Sequence, residues 1–146
     1  MALSKEQEDC LDKVGTEGIR FRYGQPMASN PFTDMPKELI TEELCLAVVK
    51  KNGHYLLFVP NKLKTVKVCL EAVERSEHAL QYVPVKLRTA ELCLEAVTHY
   101  GRALEFVPEK LKTEALCITA MKHGNMSAFV PQKLLSKVNA MLKADD

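Results

Sequence analysis

The chain has 146 residues, of which 47% are hydrophobic, and 20 basic against 19 acidic side chains give a formal net charge of +1. This length suits one domain that buries roughly two thirds of its unfolded surface. The balanced charge favours neither a strongly acidic nor a strongly basic partner. No apolar run reaches the roughly 18 residues that a bilayer span needs, and the charged start MALSKEQEDC lacks the apolar core of a secretory signal. We therefore expect a soluble, cytoplasmic protein.

Residues 1–40 are predicted to form an N-terminal cap. CLDKV at Cys10 and MPKEL at Met35 are degenerate echoes of motifs that recur later in the chain. Between them the segment RFRYGQPMASNPF contains Gly, Pro and Asn, which is typical of a loop. We expect its aromatic residues Phe21, Tyr23 and Phe32 to cover the open face of the first unit that follows.

From residue 41 the sequence repeats with a period of 24 residues. Residues 65–88 and 89–112 share 12 identities in 24 aligned positions, which indicates a tandem array. The four units are 41–64, 65–88, 89–112 and 113–135, and the last has lost one residue near Gly124. A threonine opens each unit and a cysteine follows it by four: Thr41, Thr65, Thr89 and Thr113, with Cys45, Cys69, Cys93 and Cys117.

Each unit is predicted to be one helix of about 11 residues followed by a short return segment. The threonine is a good N-cap because its hydroxyl can accept from a backbone N–H of the first turn. Gly53, Gly101 and Gly124 are expected to end their helices in the left-handed conformation, while the second unit has Ser76 and Glu77 there. The segment after each of these positions ends at a proline and is too short for more than one or two turns of α-helix or 3-10 helix.

The apolar residues of these helices span an arc of about 200°, which a single unit cannot bury. Stacking the units side by side buries it. The predicted fold class is therefore all-α, a short α-solenoid of four repeats with terminal caps. The C-terminal cap is an amphipathic helix that begins at QKLL and continues into residues 136–146, with Leu134, Leu135, Val138 and Leu142 facing inward.

The linked motifs Thr, LCLEAV, Gly, ALxFVP and LKT resemble a bacterial tandem-repeat family catalogued as a domain of unknown function, number four thousand one hundred and sixteen. The resemblance extends over residues 36 to 135, and the layout is similar to leucine-rich variant repeats. It implies a helical repeat of unassigned activity, found in bacteria that include intracellular pathogens, so delivery into a host cell stays open. It implies no catalytic residues.

The cysteines and histidines are predicted to have structural roles. Neighbouring helices pack about 8 to 10 Å apart, too far for disulfides between equivalent cysteines, and four thiols in a line cannot converge on one zinc ion. Buried thiols in a reducing compartment are favoured over redox sensing or metal binding. The histidine pairs His54 with His78 and His99 with His123 lack a further ligand, so we expect solvated histidines and no metal. The sequence contains no phosphate-binding loop or nucleophile motif, so we expect no cofactor and no enzymatic activity.

Basic residues in register predict a ridge along the turns between units. We call these seven the basic ridge: Lys62, Lys64, Lys86, Arg88, Lys110, Lys112 and Lys133. They are either solvated turn residues or a docking strip, and Glu105, Glu109 and Glu114 dilute the positive field and disfavour nucleic acid. The favoured function is a non-enzymatic protein–protein interaction module with an unidentified protein as partner. The alternatives are a binder of nucleic acid or another anionic surface, and a domain that oligomerises through an open solenoid end.

Overall fold

The computed structural model of the chain describes residues 2–14, 21–22, 25–26 and 30–145. These residues are helical apart from turns and one antiparallel pair of two-residue strands, β1 (Phe21–Arg22) and β2 (Gln25–Pro26). The all-helical class is thus confirmed, and the small strand pair lies where the sequence predicted a loop. Of the three aromatic residues expected to cover the first unit, Phe32 is buried at 6% exposure. Tyr23 and the side chain of Phe21 lie outside the described residues.

The α-helices recur at the predicted positions, joined by short 3-10 helices. The α-helices are α1 (Lys5–Asp12), α2 (Glu42–Lys51), α3 (Val66–Arg75), α4 (Ala90–His99), α5 (Glu114–Met121) and α6 (Gln132–Ala144). The 3-10 helices that follow α2 to α5, which we call return segments, are Gly53–Phe58, Ala79–Tyr82, Gly101–Phe106 and Ser127–Phe129. Three-residue 3-10 turns precede α2, α3, α4 and α5 at Lys37–Leu39, Asn61–Leu63, Val85–Leu87 and Glu109–Leu111.

A threonine starts each of the helices α2 to α5, as predicted. The hydroxyl oxygen of Thr41 accepts from the backbone N–H of Leu44 at 3.3 Å, and the same contact recurs in the next three units. Each hydroxyl satisfies a backbone donor that the first helical turn leaves unpaired. The local sequence therefore determines where these helices begin.

The core runs continuously through the helices because each packs on the next. Contacts join α2 to α3, α3 to α4, α4 to α5 and α5 to α6. Each of α2 to α5 buries its cysteine and the small residue three positions later to an exposure of 2% or less: Cys45 with Val48, Cys69 with Ala72, Cys93 with Ala96 and Cys117 with Ala120. Small side chains at these positions allow the helices to approach closely.

The prediction that glycines end the helices in the left-handed conformation was wrong for Gly53 and Gly101. Among the described glycines, only Gly124 has a positive φ, 136°. Gly53 and Gly101 instead begin return segments, and a Cβ on Gly53 would lie 2.4 Å from the carbonyl oxygen of Ala72. On Gly101 the corresponding distance, to the oxygen of Ala120, would be 2.6 Å. Glycine is required there because the backbone of the next unit's helix lies directly against it.

The second unit lacks this close approach. It has Glu77 at the glycine position, and its return segment begins two residues later, at Ala79. The segments Gly53–Phe58 and Gly101–Phe106 each pack on the helices of both their own unit and the next, whereas Ala79–Tyr82 packs on α3 and has no comparable contact with α4. A side chain at this position thus accompanies a return segment that packs mainly on the helix of its own unit.

Both ends of the array carry a helix. Gln7 of α1 donates from Nε2 to the carbonyl oxygen of Leu39 at 2.8 Å, and Lys51 of α2 donates from Nζ to that of Leu11 at 2.7 Å. At the other end, α6 buries Val138 completely, and Leu134, Leu135 and Leu142 pack partly buried against the core. In the described part of the chain, no helix combines the length and the apolar character that crossing a membrane requires.

Candidate functional site

The structure divides the basic ridge into two sets. We call Lys64, Arg88 and Lys112, each directly before a capping threonine, the inner cations. We call the other four the outer lysines: Lys62, Lys86, Lys110 and Lys133. The two sets alternate along the chain but have different surroundings.

The inner cations link each unit to the next. Lys64 donates from Nζ to the carbonyl oxygen of Tyr82 at 2.9 Å, and Lys112 donates to that of Phe129 at 3.1 Å. Arg88 makes the equivalent bond from Nη1 to Phe106 at 3.0 Å. In all three cases the acceptor is the aromatic residue that ends the following return segment.

Arg88 and Lys112 have further partners. The guanidinium of Arg88 also donates to the carbonyl oxygens of Val83 at 3.0 Å and Gln81 at 3.1 Å. Lys112 has a side chain only 7% exposed and pairs with Glu109 at 2.9 Å. Burial lowers the pKa of Lys64. The inner cations therefore belong to the scaffold, and their charge is largely directed into backbone carbonyls rather than toward solvent.

The outer lysines are exposed to solvent. Lys62, Lys86 and Lys110 lie in the three-residue turns before the helices, and Lys133 lies in the first turn of α6. Within the residues that the structure describes, none of the four forms an ion pair. Their charges are available to a partner.

Neighbouring outer lysines line the same surface grooves. Lys62 and Lys86 border the first groove, whose lining includes Tyr82, Pro84 and Val85. The inner cation Lys64 also lines this groove. Val85 is 69% exposed, so the groove presents apolar surface beside its cations. Lys110 and Lys133 border the second groove.

The acidic residues of the second groove are paired with other cations. Glu109 and Glu114 both line it. Glu109 pairs with the inner cation Lys112, and Glu114 pairs with Lys137 at 2.7 Å. These carboxylates lie in the groove but pair with cations other than the outer lysines.

A second polar cluster lies at the start of the return segments. The rings of His54 and His78 are 5.4 Å apart, which confirms that matching positions of adjacent units are neighbours. Ser76, only 5% exposed, places its hydroxyl oxygen 2.9 Å from Nδ1 of His54. Burial, and next the nearby His78, lower the pKa of His54, which favours the neutral ring at neutral pH. The tautomer of that ring decides which partner donates in the hydrogen bond to Ser76.

Of the four histidines expected to be solvated, His99 and His123 are exposed, whereas His54 and His78 are only partly exposed. His78 contacts Glu77 at 3.1 Å and His99 contacts Glu95 at 3.1 Å. Among the described residues, no group of three or more His, Cys, Asp or Glu side chains is arranged to hold a metal ion. The cluster around His54 joins two units by a hydrogen bond.

The five cysteines are free thiols and all are buried. Burial raises the pKa of Cys45 to about 12 and those of Cys69 and Cys93 to about 11. Burial also raises the pKa of Cys10 and Cys117. The thiolate is the nucleophilic form, so these side chains are unreactive in the folded protein.

We expect iodoacetamide at pH 8 to modify Cys45, Cys69 and Cys93 of the native protein at least about 100-fold more slowly than in denaturant, since each unit of raised pKa removes about tenfold of the thiolate. Mass spectrometry of timed samples would measure this difference. Rapid native labelling of Cys45, Cys69 and Cys93 would contradict this account of the core.

Cys93→Ser should destabilise the protein by roughly 1 to 3 kcal/mol because it buries a hydroxyl in an apolar site.

These features define a class: an all-helical protein whose recurring basic positions serve alternately as internal links and as exposed charges. Residues 41–88 match the family model described as Domain of unknown function (DUF4116). The match covers the first two units and confirms the resemblance inferred from their motifs. No curated protein and no solved structure matches the chain.

Proposed function

We propose that this chain is a short α-solenoid that acts as a non-enzymatic protein–protein interaction module through its outer lysines. The consecutive packing of α2 to α6 and the 24-residue period support the solenoid. In such an array every unit contributes the same surface position, so one side chain per unit forms a line. The outer lysines occupy such a position.

The observation that carries the proposal is the contrast between two sets of basic residues that are close together in sequence. Lys64, Arg88 and Lys112 each bind a carbonyl of the next unit. Lys62, Lys86 and Lys110, two residues earlier, are exposed. The fold uses one cation per unit internally and leaves the other for a partner with acidic groups.

The lining of the grooves favours a protein partner. Pro84 and Val85 add apolar surface to the first groove, and Glu109 and Glu114 add negative charge to the second. A protein surface can complement such a mixture, whereas a nucleic-acid backbone binds mainly through uninterrupted positive charge. A binder of nucleic acid or another anionic surface is the alternative outcome of the experiment below.

The proposal assigns no catalytic step. The thiols are buried with raised pKa values, and the hydroxyl of Ser76 is held beside His54 with little exposure. Free buried thiols suit a reducing compartment such as the cytoplasm.

The experiment compares two variants that each lose four positive charges. The ridge variant is Lys62→Gln, Lys86→Gln, Lys110→Gln and Lys133→Gln. The control variant changes four exposed lysines outside the basic ridge: Lys50→Gln, Lys67→Gln, Lys122→Gln and Lys143→Gln. Each substitution should change the free energy of unfolding by less than about 0.5 kcal/mol, so circular dichroism should show both variants folded.

In pull-downs from a lysate of the source organism, we expect the wild type and the control variant to capture the same protein partner and the ridge variant to lose it. Capture should weaken as salt increases because exposed charges are screened. Equal capture by the ridge variant would assign the outer lysines to solubility alone. Capture that disappears after nuclease treatment would instead support the nucleic-acid alternative.

A further inference from the structure

We infer that the outer lysines receive an extended acidic segment of the partner, in which acidic side chains recur at every third residue. This inference rests on the proposed function and specifies the chemistry of the partner. Its basis is the spacing of the outer lysines, the composition of the two grooves and the charges that lie between the lysines.

The spacing follows from the packing of the units. Neighbouring packed helices have axes about 8 to 10 Å apart, and the outer lysines recur once per unit. An extended chain in the polyproline II conformation rises about 3.1 Å per residue with three residues per turn, so every third side chain lies on the same face, about 9 Å from the last. Acids two or four residues apart would be separated by about 6 or 12 Å and would point to different faces.

The grooves show that neighbouring lysines can act on one segment. Lys62 and Lys86 border one groove, and Lys110 and Lys133 border another. A segment that crosses from the first lysine of a pair to the second must pass over the surface between them. In the first groove that surface includes Pro84 and Val85, the latter 69% exposed. Uncharged residues between the acids would therefore contact apolar surface.

The charge pattern disfavours a continuous polyanion. In the second groove the side chain of Glu109 is 73% exposed and that of Glu114 is 34% exposed. A nucleic-acid strand carries one negative charge per about 3.4 Å of helix axis, so some phosphates would lie beside these carboxylates. A segment with an acid at every third residue instead places uncharged residues there, which avoids repulsion between like charges.

The inference can be tested with fluorescein-labelled synthetic peptides of equal length and equal glutamate content. The first peptide repeats the triplet Glu-Ser-Gly four times, and the second groups its four glutamates at one end. The third is a helix-forming peptide whose four glutamates, three or four residues apart, lie on one face of the helix. A single-stranded oligonucleotide of similar length is the fourth probe. Fluorescence anisotropy at low ionic strength gives the dissociation constant of each probe for the wild type, the ridge variant and the control variant.

We expect the triplet peptide to bind the wild type and the control variant about fivefold more tightly than the grouped peptide, because more of its carboxylates can pair with lysines at once. The ridge variant should lose this preference. A register test adds specificity: Lys86→Glu with Lys110→Glu should weaken the triplet peptide, and lysines at its two central glutamate positions should restore binding. Because restored binding requires a folded protein, this test keeps the inference testable even if the four substitutions of the ridge variant perturb the fold.

Each other result overturns the inference in a recognisable way. Equal binding of the triplet and grouped peptides, or no binding of either, would exclude the spacing rule, while the pull-down would still decide the proposed function. Tighter binding of the helical peptide would exclude an extended partner. Tighter binding of the oligonucleotide than of every peptide, lost in the ridge variant, would overturn both the inference and the proposed function.

Discussion

Gly53→Ala should lower the free energy of unfolding by about 2 kcal/mol. The added Cβ would lie 2.4 Å from the carbonyl oxygen of Ala72, a backbone atom that cannot move without shifting α3. Overpacking of this kind costs about 1 to 3 kcal/mol, and so close a contact belongs at the upper end. The less flexible unfolded chain returns only about 0.4 to 1 kcal/mol. Equilibrium unfolding in urea, followed by circular dichroism, measures the difference.

The second unit provides a matched control. Glu77 occupies the equivalent position and already has a Cβ, so Glu77→Ala should change the free energy of unfolding by no more than about 0.5 kcal/mol. Gly101→Ala should behave like Gly53→Ala because its Cβ would lie 2.6 Å from the oxygen of Ala120. Wild-type stability of both alanine variants would show that the units have room to separate and would contradict the close approach.

Arg88→Met should lower the free energy of unfolding by about 3 kcal/mol. Its guanidinium donates to the carbonyl oxygens of Gln81, Val83 and Phe106, and hydrogen bonds to charged groups contribute about 1.5 to 3 kcal/mol each. The bond to Gln81 is exposed, and water can replace the donor there, so the sum is smaller than three full contributions. Urea unfolding of the variant measures the loss.

Two further substitutions separate the effect of losing the hydrogen bonds between units from the effect of losing a positive charge. Arg88→Lys should retain part of the stability, since Lys64 at the equivalent position binds Tyr82 with a single ammonium group. Lys86→Met removes the same charge two residues earlier from an exposed side chain, so it should change stability by less than about 0.5 kcal/mol. A loss at Lys86 as large as at Arg88 would mean that the division into inner cations and outer lysines has no energetic basis.

This division bears directly on the interpretation of binding experiments. Substituting all seven basic residues would mix two effects, because loss of Lys64, Arg88 or Lys112 removes bonds between units. Weaker binding could then reflect a disturbed scaffold. Substituting only the outer lysines keeps these bonds intact, so a change in binding reports on the surface itself.

Local signals in the sequence determined the helices and the residues at which they begin. Thr41, Thr65, Thr89 and Thr113 cap the helices that they were predicted to cap, because an N-cap acts on a backbone N–H three residues away. The apolar periodicity likewise predicted that Cys45, Cys69, Cys93 and Cys117 are buried. Each of these predictions depends on residues within one helix, and one repeat therefore predicts the others.

Contacts between units determined those side-chain roles that the sequence could not predict. Gly53 was interpreted as a helix terminator, yet its role depends on Ala72, 19 residues later and in the next helix. Lys62 and Lys64 are the same residue type two positions apart, and only the position of Tyr82 in the following unit makes one a link and leaves the other exposed. Similarly, His54 is partly buried because Ser76 of the next unit lies against it. Spacing along the chain predicts which residues recur, whereas the direction in which a side chain points is decided by the neighbouring unit that packs against it.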